Sequence, residues 1–303
     1  MLRQAKNKCY IEGILSEIDL KYGSYVKDGR TVDTIGGSIK IRVNQTINGV
    51  NKSLEVPVYM FANRMTNQDK PNPAYESIEK VMKEYVSIAS CGSEVGADKI
   101  RITSGQIRMN EYPNAKGEIV SYPRIYTSFI NKATGEFRPK ATWELEFAVS
   151  SMYFETDSDG VEVEPRKLHV KVIVPQYGNK VDTMELVTTL PPAIDSITSN
   201  WENQKTYTAV GRLNFESVTR EIIIERDFGE PEVRVFTSNL SELFITGGND
   251  SPLEDEMAFS PVELAAALKE RKARLENLKS GATSRTRHTP APTSAQQEVD
   301  LGF

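Results

Sequence analysis

The feature that most constrains this chain is an order of elements that occurs twice. "NKCYIEGILSEI" (7–18) reads as an apolar strand broken at Gly13, where a glycine marks a bend, a bulge or the close approach of another backbone. "SIKIRV" (38–43) alternates Ile39, Ile41 and Val43 against Lys40 and Arg42. "LEVPVYMF" (54–61) puts Leu54, Val56, Val58 and Met60 on one face, with Tyr59 and Phe61 on the other. Pro57 demotes that strand to an edge or a bulge, and Asn48-Gly49 makes the hairpin turn before it. "AYESIEKVMKEY" (74–85) carries Ile78, Val81, Met82 and Tyr85 at helical spacing. "DKIRITSGQIRMNEY" (98–112) is a strand interrupted by Gly105.

The order then returns. "WELEFAVSSMYFE" (143–155), "LHVKVIV" (168–174) and "DTMELVTT" (182–189) read as strands, with His169 and Lys171 where Lys40 and Arg42 stood. "PAIDSITSNW" (192–201) is a short helix, and "TYTAVGRLNF" (206–215) a strand broken at Gly211. Three strands, a helix and a glycine-kinked strand fit the OB-fold, a small, partly open five-stranded barrel. Gly13, Gly105 and Gly211 would let its strands coil tightly enough to close. The expected fold is therefore mostly β: two tandem OB-fold barrels, at 1–131 and 138–248, followed by a C-terminal helix and a disordered tail.

Residues 249–260 read as an acidic linker and 261–279 as the helix, with Ser260 as N-cap, Pro261 at N1 and Glu263 at N3. Leu264, Leu268, Leu275 and Leu278 form a narrow apolar stripe, suited to docking on the body or to self-association. Residues 280–303, rich in Ser, Thr, Ala, Pro and Gln, make the disordered tail and end in "EVDLGF".

Bulk properties exclude several classes. At 303 residues, against roughly 150 per domain, two cores fit. A net charge of −5 argues against a generally basic nucleic-acid coat but leaves room for a local basic stripe. No apolar run approaches the ~20 residues of a membrane span, and the N-terminus lacks a secretory apolar stretch. The expectation is a cytoplasmic protein, in a bacterium or a phage-infected host, with no membrane partner. Cys9, Cys91, His169 and His288 have no zinc-like spacing, and each Cys reads as a buried small hydrophobe. "NGVNKS" lacks the glycine of a phosphate loop, and "DSDG" is an Asp-Gly turn without the later ligands of a calcium loop. With no catalytic constellation, metal set or cofactor loop, the chain reads as a non-enzyme with no cofactor.

Three stretches carry a resemblance. "NKCYIEGIL", "VYMFANRM" (58–65) and "AVGRL" (209–213) resemble strands of the bacterial single-stranded DNA-binding protein family, and "EVDLGF" is similar to its C-terminal tip. The resemblance implies a sequence-nonspecific single-stranded DNA partner, in replication, recombination or repair, with Phe61 as a base-stacking position. It also implies a tip, here Asp300, Leu301 and Phe303, that recruits replication or recombination proteins. Family members carry one OB domain and form tetramers; two domains in one chain imply a monomer or homodimer. Glu55 stands where the family often has a stacking Trp, and Glu298 and Asp300 are the tip's only acids. These departures fit a divergent, phage-encoded member.

Single-strand binding needs rings for bases and cations for phosphates. On the first barrel the candidates are Lys40, Arg42, Tyr59 and Phe61 facing outward, Tyr22 and Tyr25 in the first loop, and Arg108 and Tyr112 past the kink. On the second they are Lys171, Tyr177, Arg212 and Phe215, with Tyr153 and Phe154 beside the first turn. Trp143 and Trp201 read as core. Rings in strands also serve core or rim packing, and charged alternation also marks an ordinary solvated face. The same barrels would therefore serve a protein-interaction or structural module, or an adaptor acting through its C-terminal helix and tail.

Overall fold

The computed structural model describes residues 2–47, 50–114, 116–224 and 232–280, with side chains at 47 and 216–239 left aside. Its first half runs β1 (Asn7–Lys27), β2 (Arg30–Ile47), β3 (Val50–Asn63), α1 (Pro73–Glu84), α2 (Ile88–Cys91), β4 (Lys99–Pro113), β5 (Ile119–Tyr126) and β6 (Asn131–Lys132). The second runs β7 (Lys140–Phe154), β8 (Leu168–Pro175), β9 (Val181–Thr188), α3 (Pro191–Asn200), β10 (Thr206–Ile224) and β11 (Glu232–Gly248), followed by α4 (Pro261–Lys279). The protein is mostly β, with two OB-fold barrels and a C-terminal helix.

The two barrels close in the same way. β1–β2–β3 is an antiparallel meander, β4 returns to β1, and β5 lies parallel to β3 at Val58–Ile125 and Tyr59–Tyr126. β7–β8–β9 repeats the meander, β10 returns to β7, and β11 lies parallel to β9 at Leu243–Leu186 and Phe244–Val187. Even the bulge recurs. β1 shifts register between Leu15 and Glu17, just before Lys40, and β7 shifts between Val149 and Ser151, just before Lys171. Counted from the parallel closures, Lys171 therefore takes the place of Lys40 and His169 that of Ser38, two residues off the sequence expectation.

The glycines sit where the return strand crosses. A Cβ on Gly211 would lie 2.1 Å from the Phe244 carbonyl oxygen and 2.3 Å from the Trp143 ring; on Gly105 it would lie 3.0 Å from the Cys9 Cβ. A side chain at Gly211 cannot be accommodated without moving backbone. On the far side of the sheet, Pro57 sits in a strand that meets β5 only at Val58 and Tyr59, so β3 is an edge beyond those residues, as a mid-strand proline requires.

The cores follow the alternation. Ile39, Ile41, Val43, Leu54, Val56 and Val58 are fully buried, and Ile78 and Val81 of α1 close over them. The second core is aromatic as well as aliphatic: Trp143, Phe147, Trp201 and Tyr207 are all buried, with Trp201 stacked on Tyr207 at 5.0 Å. β1 and β7 pair antiparallel, from Asn7–Leu145 to Glu12–Lys140, and join both halves in one sheet. Buried Asn7 extends β1 toward β4, its amide donating to the Ile107 carbonyl at 2.6 Å and accepting from the Ile107 N–H at 2.9 Å.

Ser260 caps α4, accepting from the Glu263 N–H at 3.5 Å. Leu264 and Ala267 are buried, and Arg271 and Arg274 both bind Glu111 of β4, so the helix docks on the body. The acidic linker is anchored too: Phe259 is buried beneath the Arg3 guanidinium at 4.4 Å. Cys9 is buried as expected, but Cys91 is exposed, because α2 is a single surface turn with no buried residue. Among the described residues, no helix is long and apolar enough to cross a membrane. Asn48-Gly49 and the tip residues Asp300, Leu301 and Phe303 lie outside the described residues.

Candidate nucleic-acid interface

On the outward face of the first barrel, alternation on β3 and β5 brings a set of rings together. Tyr59 and Tyr126 are register partners, with centroids 5.8 Å apart. Arg124, two residues before Tyr126 on β5, stacks over Tyr59 at 4.1 Å and lies 5.1 Å from the Tyr122 centroid. Its Nη2 donates to the Tyr122 hydroxyl at 2.5 Å. Tyr122 meets Tyr112 of β4 edge-on at 6.2 Å. Phe61 extends the row along β3 and is 49% exposed.

Arg124 gives this face its character. It is 5% exposed, its Nε has no hydrogen-bond partner, and among the described residues no carboxylate pairs with it. A buried cation without a counter-ion is costly, and here the faces of two tyrosines partly compensate. Burial pushes the Tyr59 phenol above its ordinary value, while the Arg124 guanidinium pulls the other way. The result is a half-buried aromatic platform over a fixed positive charge.

Around this platform the predicted cations all have acidic partners. Lys40 meets Glu17 at 2.6 Å; Arg42 is held by Glu55 at 2.7 Å and Glu94 at 3.0 Å, which raise its pKa. Arg108 reaches across to Asp182 of β9 at 3.4 Å. Tyr22 and Tyr25 lie in the extended β1 strand, not in a loop. Tyr22 stands 6.5 Å from Tyr75 and donates to Glu79 at 2.6 Å, while Tyr25 accepts from Asn63 at 3.3 Å. Exposed ion pairs of the Lys40–Glu17 kind are worth about 0–1 kcal/mol, so they hold these cations only weakly.

The corresponding face of the second barrel is built differently. Tyr153 stacks on His169 at 4.8 Å and donates to Glu185 at 2.9 Å. Burial, helped by that bond, pushes the Tyr153 phenol up to about 12. His169 is gripped at both nitrogens, by Glu185 at 2.8 Å and Glu155 at 2.9 Å. Lys171 lies 5.1 Å from the Tyr153 ring, Arg166 covers Phe154 at 4.1 Å, and Tyr177 is an isolated, 80% exposed ring in the β8–β9 turn. Arg212 stacks over buried Phe244 at 4.0 Å. Phe215, expected at the surface, is buried at 7% exposure: it shares the inward parity of Leu213 on β10. It belongs to the core.

Tyr122, Arg124 and Tyr126 were not among the sequence candidates. The signal was present as alternation in "VSYPRIY" (120–126), masked by Pro123 in its middle.

A family model described as YorF matches residues 6–281. Against the curated proteins the sequence finds no match. Among solved structures, the chain is similar to a deletion mutant of the single-stranded DNA binding protein from Thermus aquaticus. The identity is 11%, the TM-score 0.50, and the match covers 85% of this chain and 98% of that one. At this identity the likeness speaks for the fold alone. A replication protein A heterotrimer bound to ssDNA also matches, 8% identical over 78% of this chain and 49% of that one, with a TM-score of 0.23 too low to carry weight.

Proposed function

The chain belongs to the YorF family, and we propose that it is a sequence-nonspecific single-stranded DNA-binding protein without catalytic activity, acting in replication, recombination or repair. The observation that carries this reading is the aromatic platform over Arg124. Base stacking on rings is worth roughly 1–3 kcal/mol per base and tolerates any sequence. A guanidinium fixed beneath the rings attracts a polyanion to a protein that is acidic overall. OB-folds bind strands across this face of β2 and β3. The Thermus aquaticus protein, similar in fold, is by its description a single-stranded DNA binding protein; that correspondence supports the reading.

In this reading Tyr59, Phe61, Tyr112, Tyr122 and Tyr126 stack bases, and Arg124 orients the rings. Lys40 and Arg42 exchange carboxylates for phosphates, with Tyr22 and Tyr25 at the rim. Lys171, Tyr177 and Arg212 make a weaker second track. The tip at Asp300, Leu301 and Phe303 recruits replication or recombination proteins, and the protein works as a monomer or homodimer. The parity of the rings with the interleaved acids predicts a shallow salt dependence, with fewer released counter-ions than a lysine-lined groove gives. Titration of labelled oligo-dT at several salt concentrations tests the proposal. Micromolar or tighter binding at low salt, lost in Arg124→Gln, is expected; no binding at low salt overturns it.

A further inference from the structure

Beyond Phe61 the platform ends in a hollow of about 390 Å³, walled by Phe61, Met65, Thr66, Asn67 and Ser128 over a floor at Asn72. It is an open depression that faces solvent, not an enclosed cavity. Its rim leaves two large apolar side chains in solvent, Phe61 at 49% and Met65 at 42% exposure. None of its lining residues is ionisable.

The hollow is built, not incidental. The Arg64 N–H donates to the Asp33 carbonyl at 2.8 Å and the Thr66 N–H to the Lys70 carbonyl at 2.8 Å, so the 64–72 loop is tied at both ends. Asn72 fixes the floor: its Nδ2 donates to the Asn63 carbonyl at 2.8 Å and its Oδ1 accepts from the Ala74 N–H at 3.1 Å, capping α1. Among the described residues, the side chains of Asn67 and Ser128 have no hydrogen-bond partner. They are left available to a ligand.

This chemistry selects the occupant. A site with no charge does not recruit a phosphate. An aromatic ring and a polarizable thioether lining one hollow suit a flat, neutral heterocycle, and an amide with a hydroxyl supplies both donor and acceptor to a base edge. Tyr59 and Phe61 are two residues apart on one strand face, roughly 6.8 Å, so a strand stacked on Tyr59 reaches the hollow with its next nucleotide.

We propose that this hollow is a single-nucleobase subsite, holding one base turned out between Phe61 and Met65 with Asn67 and Ser128 at its edge. The inference rests on the reading of the platform as a single-strand interface. It adds a pocket, and with it a bound register, to a surface that otherwise only stacks.

The test is photocrosslinking of the full chain to oligo-dT carrying one 5-iodouracil, with the attachment sites mapped by mass spectrometry, alongside the affinity of Met65→Ala. Attachment at Met65 as well as Phe61 is expected, with about threefold weaker binding in the variant, the scale of a sulfur–ring contact. Crosslinks confined to Tyr59, Tyr122 or Tyr126, or a wild-type affinity in Met65→Ala, overturn the subsite and leave the platform standing. Failure of the wild-type chain to bind oligo-dT removes the platform reading and the subsite with it.

Discussion

The two barrels share a frame down to the bulge in their first strands, yet they spend their rings in opposite ways. Among the described residues every buried aromatic belongs to the second half: Trp143, Phe147, Trp201, Tyr207, Phe215, Phe244 and Phe259. The first barrel fills its core with Ile, Val and Leu and leaves Tyr22, Phe61, Tyr112 and Phe129 exposed. The charge at one register position is also reversed. Immediately before the parallel closure, β5 carries Arg124 with no carboxylate partner among the described residues, and β11 carries Glu242, which binds Lys167 at 2.6 Å and Asn214 at 3.0 Å. A duplicated topology therefore fixes where a face is, while the residues at a few outward positions decide whether that face suits a polyanion. By this comparison the proposed single-strand track would run over the first barrel, and the second offers it a carboxylate-laced surface of little expected gain.

The shared frame can be stressed first. Gly211→Ala should destabilise by about 3 kcal/mol through overpacking against backbone. Gly105→Ala, whose nearest neighbour would be the Cys9 Cβ at 3.0 Å, should cost only about 1 kcal/mol. Equal losses in denaturant melts would mean that the two crossings are not built alike. The faces come next. Tyr59→Ala with Tyr126→Ala should weaken oligo-dT binding about 30-fold, two lost stacking contacts near the low end of their range. Tyr153→Ala with Lys171→Ala should weaken it no more than about threefold; comparable losses would erase the contrast.

A smaller effect probes the acids. Glu155→Gln with Glu185→Gln removes negative charge beside Lys167 and Lys171 respectively, and affinity should rise about twofold to threefold at low salt and return to wild type at high salt. Least in size is the pH response. Glu12 is held below the usual carboxylate range by its bond from Arg101, against the opposing effect of burial and with help from the Arg138 N–H. Glu155 is lowered by His169 and then by Lys167. Each folded pKa is depressed, so the stabilisation is complete above the unfolded value of about 4.3 and disappears as pH falls through the folded one. Glu12 is buried and Glu155 is 41% exposed. Thermal melts between pH 7 and pH 3 should therefore flatten more in Glu12→Gln than in Glu155→Gln, and the reverse order would place the stronger electrostatic anchor in the second barrel.

Much of this was legible from residues alone. The alternation in "SIKIRV" and "LEVPVYMF" placed Tyr59 and Phe61 opposite the core residues, and the kink glycines marked the crossings. Phe215 was misplaced although alternation already set it on the face of Tyr207, Ala209 and Leu213, opposite Arg212, so the two could not both point outward. Arg42 and Lys40 were correctly placed outward, but their acids come from Glu17, Glu55 and Glu94 on other strands and a loop. No local pattern reports such a partner.

What the sequence by itself determined was periodicity: which residues share a face, where strands must approach closely, and the order of elements that makes two barrels. Those properties follow from the two-residue repeat of a strand and from the missing Cβ of glycine, and they need no knowledge of distant neighbours. Tertiary structure alone decided that Tyr126 closes against Tyr59, that Arg124 lies under the rings without a carboxylate, and that α4 reaches Glu111. Charge and stacking depend on separations of a few ångströms between residues tens of positions apart in sequence. Only chain closure sets those distances.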